Sequence, residues 1–157
     1  QRSHLWFRAI HKSPQQRKKL AYMEDIDILI HKLNNIIGLI ESCINRLKNA
    51  DEDALKKRWL FMKDVITTTG RDRIDKEIVF CKKLENTTEK VFKETYINSG
   101  DQLSEADRYY KAMFDLLDGT NGFSEESRDM TLTYGDRLVG ILKNTINELK
   151  ELKIETQ

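Results

Sequence analysis

The 157-residue sequence has little proline, cysteine or glycine: one Pro, two Cys and seven Gly. So few turn-forming residues argue against the many tight turns of an all-β chain. Cys43 and Cys81 lie far apart and neither belongs to a C-x-x-C pair, so neither a zinc site nor a disulfide framework is expected. We expect two buried thiols, and a single disulfide joining two helices is the alternative.

Long apolar runs and a net charge of one sign are also missing. The longest apolar stretches, such as 36–40, are far shorter than the roughly 18 residues that a membrane span needs, so no segment is expected to cross a bilayer. Charged residues make up 34% of the chain, but they nearly cancel to a net charge of +1. Bulk electrostatics therefore do not indicate nucleic acid as a partner.

Motifs that carry catalysis or hold a cofactor are not found either. The three histidines, His4, His11 and His31, form no pair with the spacing of metal ligands. The glycine-containing turn near residue 120 fails as a calcium loop, because Leu117 and Arg128 would occupy positions that need carboxylates. The sequence thus predicts no catalytic residues, no metal site and no cofactor, and we expect a protein that is not an enzyme.

A long amphipathic helix is the clearest feature that is present. Ser13, Pro14 and Gln16 have the chemistry of a helix start: a capping hydroxyl, a proline at the first position and an amide that reaches back. Apolar residues then recur every three or four positions at Met23, Ile26, Ile30, Leu33, Ile37, Ile40, Ile44 and Leu47, with a parallel file at Tyr22, Leu29, Ile36 and Cys43. This wide stripe predicts a helix over about 14–48 that packs in a bundle rather than a two-stranded coil.

The rest of the chain also has helical periodicity. Asp51 is a candidate cap for a second long helix that ends near the Asn98-Ser99-Gly100-Asp101 sequence and has a defect at Thr67-Thr68-Thr69-Gly70; a break there is the alternative. Asn86-Thr87-Thr88, a formal glycosylation sequence, would then fall inside a helix, so we interpret it as chance. Ser104 and Asp107 suggest a capping box for a shorter helix.

After a turn at 118–122, Ser124 is expected to cap the last helix, in which Gly135 and Gly140 mark either close helix contacts or weak spots. The predicted fold is all-α: an up-and-down bundle of four helices of unequal length, or five if one splits. We expect a single domain over 14–157, preceded by a basic and aromatic leader over 1–13.

The leader is the most polarised part of the sequence. It lacks acidic residues and combines basic with aromatic side chains, namely Arg2, Trp6, Phe7, Arg8 and Lys12. These residues are candidates for contact with an acidic partner, or with a membrane surface through residues 2–19; the structural alternative is that they cap one end of the bundle. Trp59, which lies among basic residues, is a further candidate for an exposed partner contact, and its alternative is burial against another helix.

With apolar stripes and no catalytic motif, the leading functional hypothesis is a non-enzymatic bundle that binds another protein. An extracytoplasmic four-helix sensory domain of a membrane receptor is the second hypothesis, and a homo-oligomeric scaffold is the third. Because the chain begins at Gln1 rather than Met, we also expect it to belong to a larger protein.

Overall fold

The computed structural model describes residues 13–63, 70–87, 89–117 and 123–156. These residues form five helices and no strand, which confirms the all-α bundle with the larger of the two predicted helix counts. The helices are α1 (Pro14–Asn49), α2 (Glu52–Lys63), α3 (Gly70–Leu84), α4 (Lys90–Leu117) and α5 (Glu125–Glu155).

The first helix begins and ends where the sequence predicts. The Ser13 hydroxyl accepts a hydrogen bond from the Gln16 backbone N–H, and the Gln16 side chain accepts one from the Ser13 N–H at 2.9 Å, so the capping box is complete. Both predicted apolar files contribute to the core, whose α1 members are Ile26, Leu29, Leu33, Ile36, Ile37, Ile40, Cys43, Ile44 and Leu47. Such a wide buried stripe requires neighbours on both sides of α1.

Four long helices make an up-and-down bundle in which α1 lies between α3 and α5, and α4 completes the ring. Two ion pairs show that α1 and α5 are antiparallel: Lys153 Nζ lies 2.6 Å from Asp27, and Lys143 Nζ lies 3.1 Å from Glu41. Gly135 of α5 permits a close approach, since a Cβ there would lie 2.8 Å from the Ile44 Cδ1. The short α2 packs against α4 at one end of the bundle.

The boundary between α3 and α4 differs from the prediction. We expected one helix from Asp51 to about residue 97, but this stretch forms α2, α3 and the first turns of α4. The expected defect at 67–70 falls largely in residues outside the described ranges. The expected helix end at 98–101 is wrong, because α4 runs through it. Gly100 is buried beside Cys81 of α3, and Tyr96 and Leu103 on either side of it are fully buried, so packing of α4 in the bundle outweighs the low helix propensity of these residues.

Two smaller interpretations change with that boundary. Ser104 is not a helix cap: it lies within α4, and its hydroxyl donates to the Gly100 carbonyl at 2.9 Å. Asn86 is exposed in the turn between α3 and α4, and the Thr87 hydroxyl next to it accepts a hydrogen bond from the Glu89 N–H. The expectation that the glycosylation sequence falls inside a helix is therefore wrong.

Both cysteines are buried free thiols, as expected.

Residues 14–21 at the start of α1 are all exposed. The ring of Tyr22 lies 4.9 Å from the Phe92 ring of α4. The first two turns of α1 therefore project beyond the bundle. Among the described helices, none combines the length and the apolar character needed to cross a membrane.

Candidate functional site: the groove between α1 and α3

The seam between α1 and α3 is the least closely packed of the four seams in the bundle. It opens into a groove of about 240 Å³, which we call the α1–α3 groove. The residues that line it are Lys32, Asn35, Ile36, Arg73, Lys76 and Glu77. Three of these six side chains are cations, so the groove has a basic rim.

The floor of the groove is formed by Ile36 and Glu77, which are 1% and 2% exposed. The Glu77 carboxylate lies 3.6 Å from the Lys32 Nζ, and this pair joins α3 to α1. Burial raises the pKa of the Glu77 carboxyl, while the positive charges of Lys32 and Lys76 oppose that rise. A partly compensated negative charge therefore lies beneath the basic rim.

On α1 the groove is lined by Lys32, Asn35 and Ile36, and a stripe with the spacing i, i+4, i+7 and i+11 extends Lys32 and Asn35 in both directions along the helix, to Ile28 and Leu39. Residues at this spacing lie on one face of a helix. Ile28 is 46% exposed and Leu39 is half-buried, so the stripe presents apolar surface beside the core face. The sequence from 28 to 39 contains no acidic residue, so α1 places no carboxylate among the side chains of this stripe.

The α3 side has a matching stripe at Arg73, Lys76, Phe80 and Lys83. The Lys32 Nζ lies 5.7 Å from the centroid of the Phe80 ring, within range of a cation–π interaction across the seam. Phe80 is half-buried, and the three basic residues of the stripe are exposed. The two stripes together place the apolar residues Ile28, Leu39 and Phe80 along the seam, with cations on both helices.

The side chains that line the groove determine what it can bind. Among the described residues, no group of three or more His, Cys, Asp or Glu side chains could hold a metal ion. The groove lining contains no hydroxyl, thiol or imidazole. What it offers is desolvated aliphatic surface and mobile cationic donors, which recognise carboxylates next to apolar side chains.

None of the residues predicted from sequence as partner contacts is among those that line the groove. Arg2, Trp6, Phe7, Arg8 and Lys12 fall outside the described residues. Of the segment 2–19, the described part contributes three exposed basic residues on the projecting turns of α1, namely Arg17, Lys18 and Lys19.

Trp59 is not an exposed contact. It is 2% exposed, and its ring meets that of Phe123 edge to face at 5.3 Å. Burial, the alternative for this residue, is correct: α2 packs against α4, and the Trp59 ring lies on Phe123, just before the start of α5.

The seam between α4 and α5 carries a second groove, of about 370 Å³, whose lining includes Gln102, Tyr109 and Arg137. Arg137 donates to the Tyr109 hydroxyl at 3.3 Å, and the nearby Gly140 leaves open space above the backbone. Further along, Gln102 accepts a hydrogen bond from Thr145 and donates one to Glu148 at 2.7 Å. These hydrogen bonds occupy the polar groups of this seam internally, so it has less to offer a partner than the α1–α3 groove.

Comparison of the chain with protein-family models, with curated proteins and with solved structures finds no match. The functional inference therefore depends on the geometry of the α1–α3 groove and its charges.

Proposed function

We propose that the protein is a non-enzymatic helical module that binds another protein through the α1–α3 groove. The observation that supports this proposal is the pair of facing stripes, with Ile28 exposed and Phe80 half-buried on the banks of the least closed seam. Exposed apolar side chains that line a concave surface are typical of interaction sites.

The dimensions of the groove favour a helix as the bound element. The α1 stripe runs from Ile28 to Leu39, which is roughly 16 Å at 1.5 Å per residue, or about three helical turns. A helix that lies in this groove would pack against α1 and α3 in the way that the bundle helices already pack against one another. A small metabolite would leave most of this length unused.

The core stripe of α1 supports a monomeric module rather than a scaffold of paired α1 helices. Ile26, Leu33 and Leu47 are completely buried within the chain. Pairing of α1 with a second copy through this stripe would first require the bundle to open, at the cost of its apolar burial.

The direct test compares partner capture by matched surface variants. Ile28→Lys replaces an exposed apolar side chain with a charge on the α1 stripe, one helical turn from the groove residue Lys32, whereas Val79→Lys places the same charge on the outer side of α3, where Val79 is 54% exposed. Both variants should fold, as judged by circular dichroism. The proposal predicts that a partner retained by the original chain and by Val79→Lys is lost with Ile28→Lys; equal retention by all three contradicts it.

A second candidate function is that of a sensory domain between two membrane spans, and it is favoured by the position of the helix ends. The Thr156 hydroxyl donates to the Met23 sulfur at 3.3 Å, so α5 ends on the same side of the bundle as the N-terminal part of α1. Two membrane-anchored ends would need this proximity. The test is the coding sequence on both sides of the chain: apolar segments of about 20 residues on both sides support the sensor, and their absence excludes it.

A further inference from the structure

We infer that the partner element is an acidic amphipathic helix: one with a narrow apolar stripe and with Asp or Glu on both edges of that stripe. This inference rests on the proposed function and specifies the chemistry of the ligand. The charge of the groove lining supports it, since Lys32, Arg73 and Lys76 are opposed by the single carboxylate of Glu77.

The cations lie on both sides of the groove, and this placement determines where the acidic residues of the ligand should lie. Lys32 extends from α1, whereas Arg73 and Lys76 extend from α3. An apolar side chain that points to the floor at Ile36 would therefore have a cation on either side. Acidic residues three or four positions apart, on the two edges of the apolar stripe, match this layout.

The buried charge of Glu77, which lies beneath the basic rim, should weaken the binding of an acidic helix. Its carboxylate is bound to Lys32 at 3.6 Å, while the Lys32 side chain is 51% exposed and can reach a second carboxylate from the solvent side. The negative charge of Glu77 partly cancels the attraction that the rim exerts on an acidic helix. Glu77→Gln should therefore bind an acidic helix about threefold more tightly, or better, than the original chain.

The experiment uses synthetic helices as probes. A peptide of about five helical turns, roughly 18 residues, is held helical by a hydrocarbon staple on its outer face, with leucines along one stripe and glutamates on both edges; a matched peptide has lysine in place of every glutamate. Each carries fluorescein, and binding to the full chain is followed by anisotropy. We expect micromolar binding of the glutamate peptide that weakens with salt, and binding of the lysine peptide that is weaker by about tenfold or more.

Variants of the chain give the sharper readout. Arg73→Glu with Lys76→Glu should reverse the preference, so that the lysine peptide binds better than the glutamate peptide. Val79→Lys, on the outer side of α3, should leave both affinities within about twofold. Because Arg73 and Lys76 are exposed, their reversal should preserve the helical circular dichroism spectrum.

The outcomes separate this inference from the proposed function. If neither peptide binds, or if charge reversal leaves the preference unchanged, the acidic ligand is excluded. If Ile28→Lys nevertheless abolishes capture of a native partner, the groove remains a binding site for a partner of different chemistry. If the glutamate peptide binds equally well to Asn35→Glu, which adds a repelling carboxylate to the groove lining, the groove is not where it binds, and the inference fails.

Discussion

Lys32 and Glu77 form an ion pair in which the two partners experience different environments: their atoms are 3.6 Å apart, yet the Lys32 side chain is 51% exposed and that of Glu77 only 3%. The Lys32 ammonium group stays hydrated, whereas the Glu77 carboxylate is buried away from solvent. A pair of this kind does not repay the full desolvation of the buried group, because the exposed partner is screened by solvent. Glu77 is therefore a charged group that the bundle tolerates rather than one that stabilises it.

The first prediction follows from the sign of the Glu77 pKa shift. Burial raises the pKa of this carboxyl above its ordinary value of 4.5, against the opposing effect of Lys32, so the folded chain holds the proton more tightly than the unfolded chain does. The contribution of Glu77 to the free energy of unfolding therefore falls as the pH rises from about 4.5 through the folded-state pKa, and is constant above it.

Glu77→Gln removes this titration. Urea unfolding at several pH values between about 4 and 8 should show that the stability of the variant, relative to the original chain, increases with pH across this window. A difference that stays constant or decreases as the pH rises contradicts the assigned direction of the shift.

The second prediction uses the two glycines of α5. Gly140 is exposed with nothing within 4 Å of an added Cβ, so Gly140→Ala should stabilise the chain by about 0.5–1 kcal/mol through helix propensity alone. At Gly135 an added Cβ would lie 2.8 Å from Ile44 Cδ1, and the larger side chain of Gly135→Leu should destabilise the chain by about 1–3 kcal/mol. Chemical denaturation measures both changes. Equal effects at the two positions would mean that α1 and α5 are not in close contact at Ile44.

Much of this fold can be predicted from sequence, and α1 explains why. Its start is specified by local chemistry at Ser13 and Gln16, and its buried face by an unbroken heptad pattern, so two independent signals agree. The α3–α4 boundary lacks this agreement. Gly100 and Ser104 have the local character of a helix end, but α4 continues through them because Tyr96 and Leu103 are fully buried. Tertiary packing of this kind is invisible to a local pattern.

The third prediction compares the N-terminal caps of two helices, α5 and α1, because the first turns of α1 are exposed. Ser124 caps α5, and its hydroxyl accepts a hydrogen bond from the Ser127 N–H at 3.0 Å. Ser124→Ala should lower the free energy of unfolding by about 1 kcal/mol. Ser13→Ala removes an equivalent bond, but from the exposed first turns of α1, so global stability should change by much less. Equal losses at the two caps would show that residues 14–21 are part of the cooperative unit.

The fourth prediction concerns the burial of Trp59. In a Trp6→Phe variant, Trp59 is the only source of tryptophan fluorescence. Its emission should lie at short wavelength and resist quenching by acrylamide, because the ring is 2% exposed and packed on Phe123. Quenching as efficient as that of free tryptophan would instead place the ring at the surface.

The groove itself was not predicted from the sequence. Hydrophobic periodicity identifies which face of α1 is buried, but not how closely α3 approaches that face. One signal was present: Ile28 and Leu39 lie off the main apolar stripe and share their own spacing with Lys32 and Asn35. An apolar pair outside the core stripe, interleaved with polar residues, is typical of a helix with a second contact surface.

The central claim, that the α1–α3 groove is where a partner protein binds, is tested most directly by site-specific crosslinking. A photoreactive phenylalanine analogue is placed either at Asn35, in the groove, or at Val79, on the outer side of α3, and the chain is irradiated in an extract of its native source. We expect one discrete adduct from position 35 that the glutamate peptide competes away, and none from position 79. Equal labelling from both positions, or labelling from position 79 alone, would contradict the account.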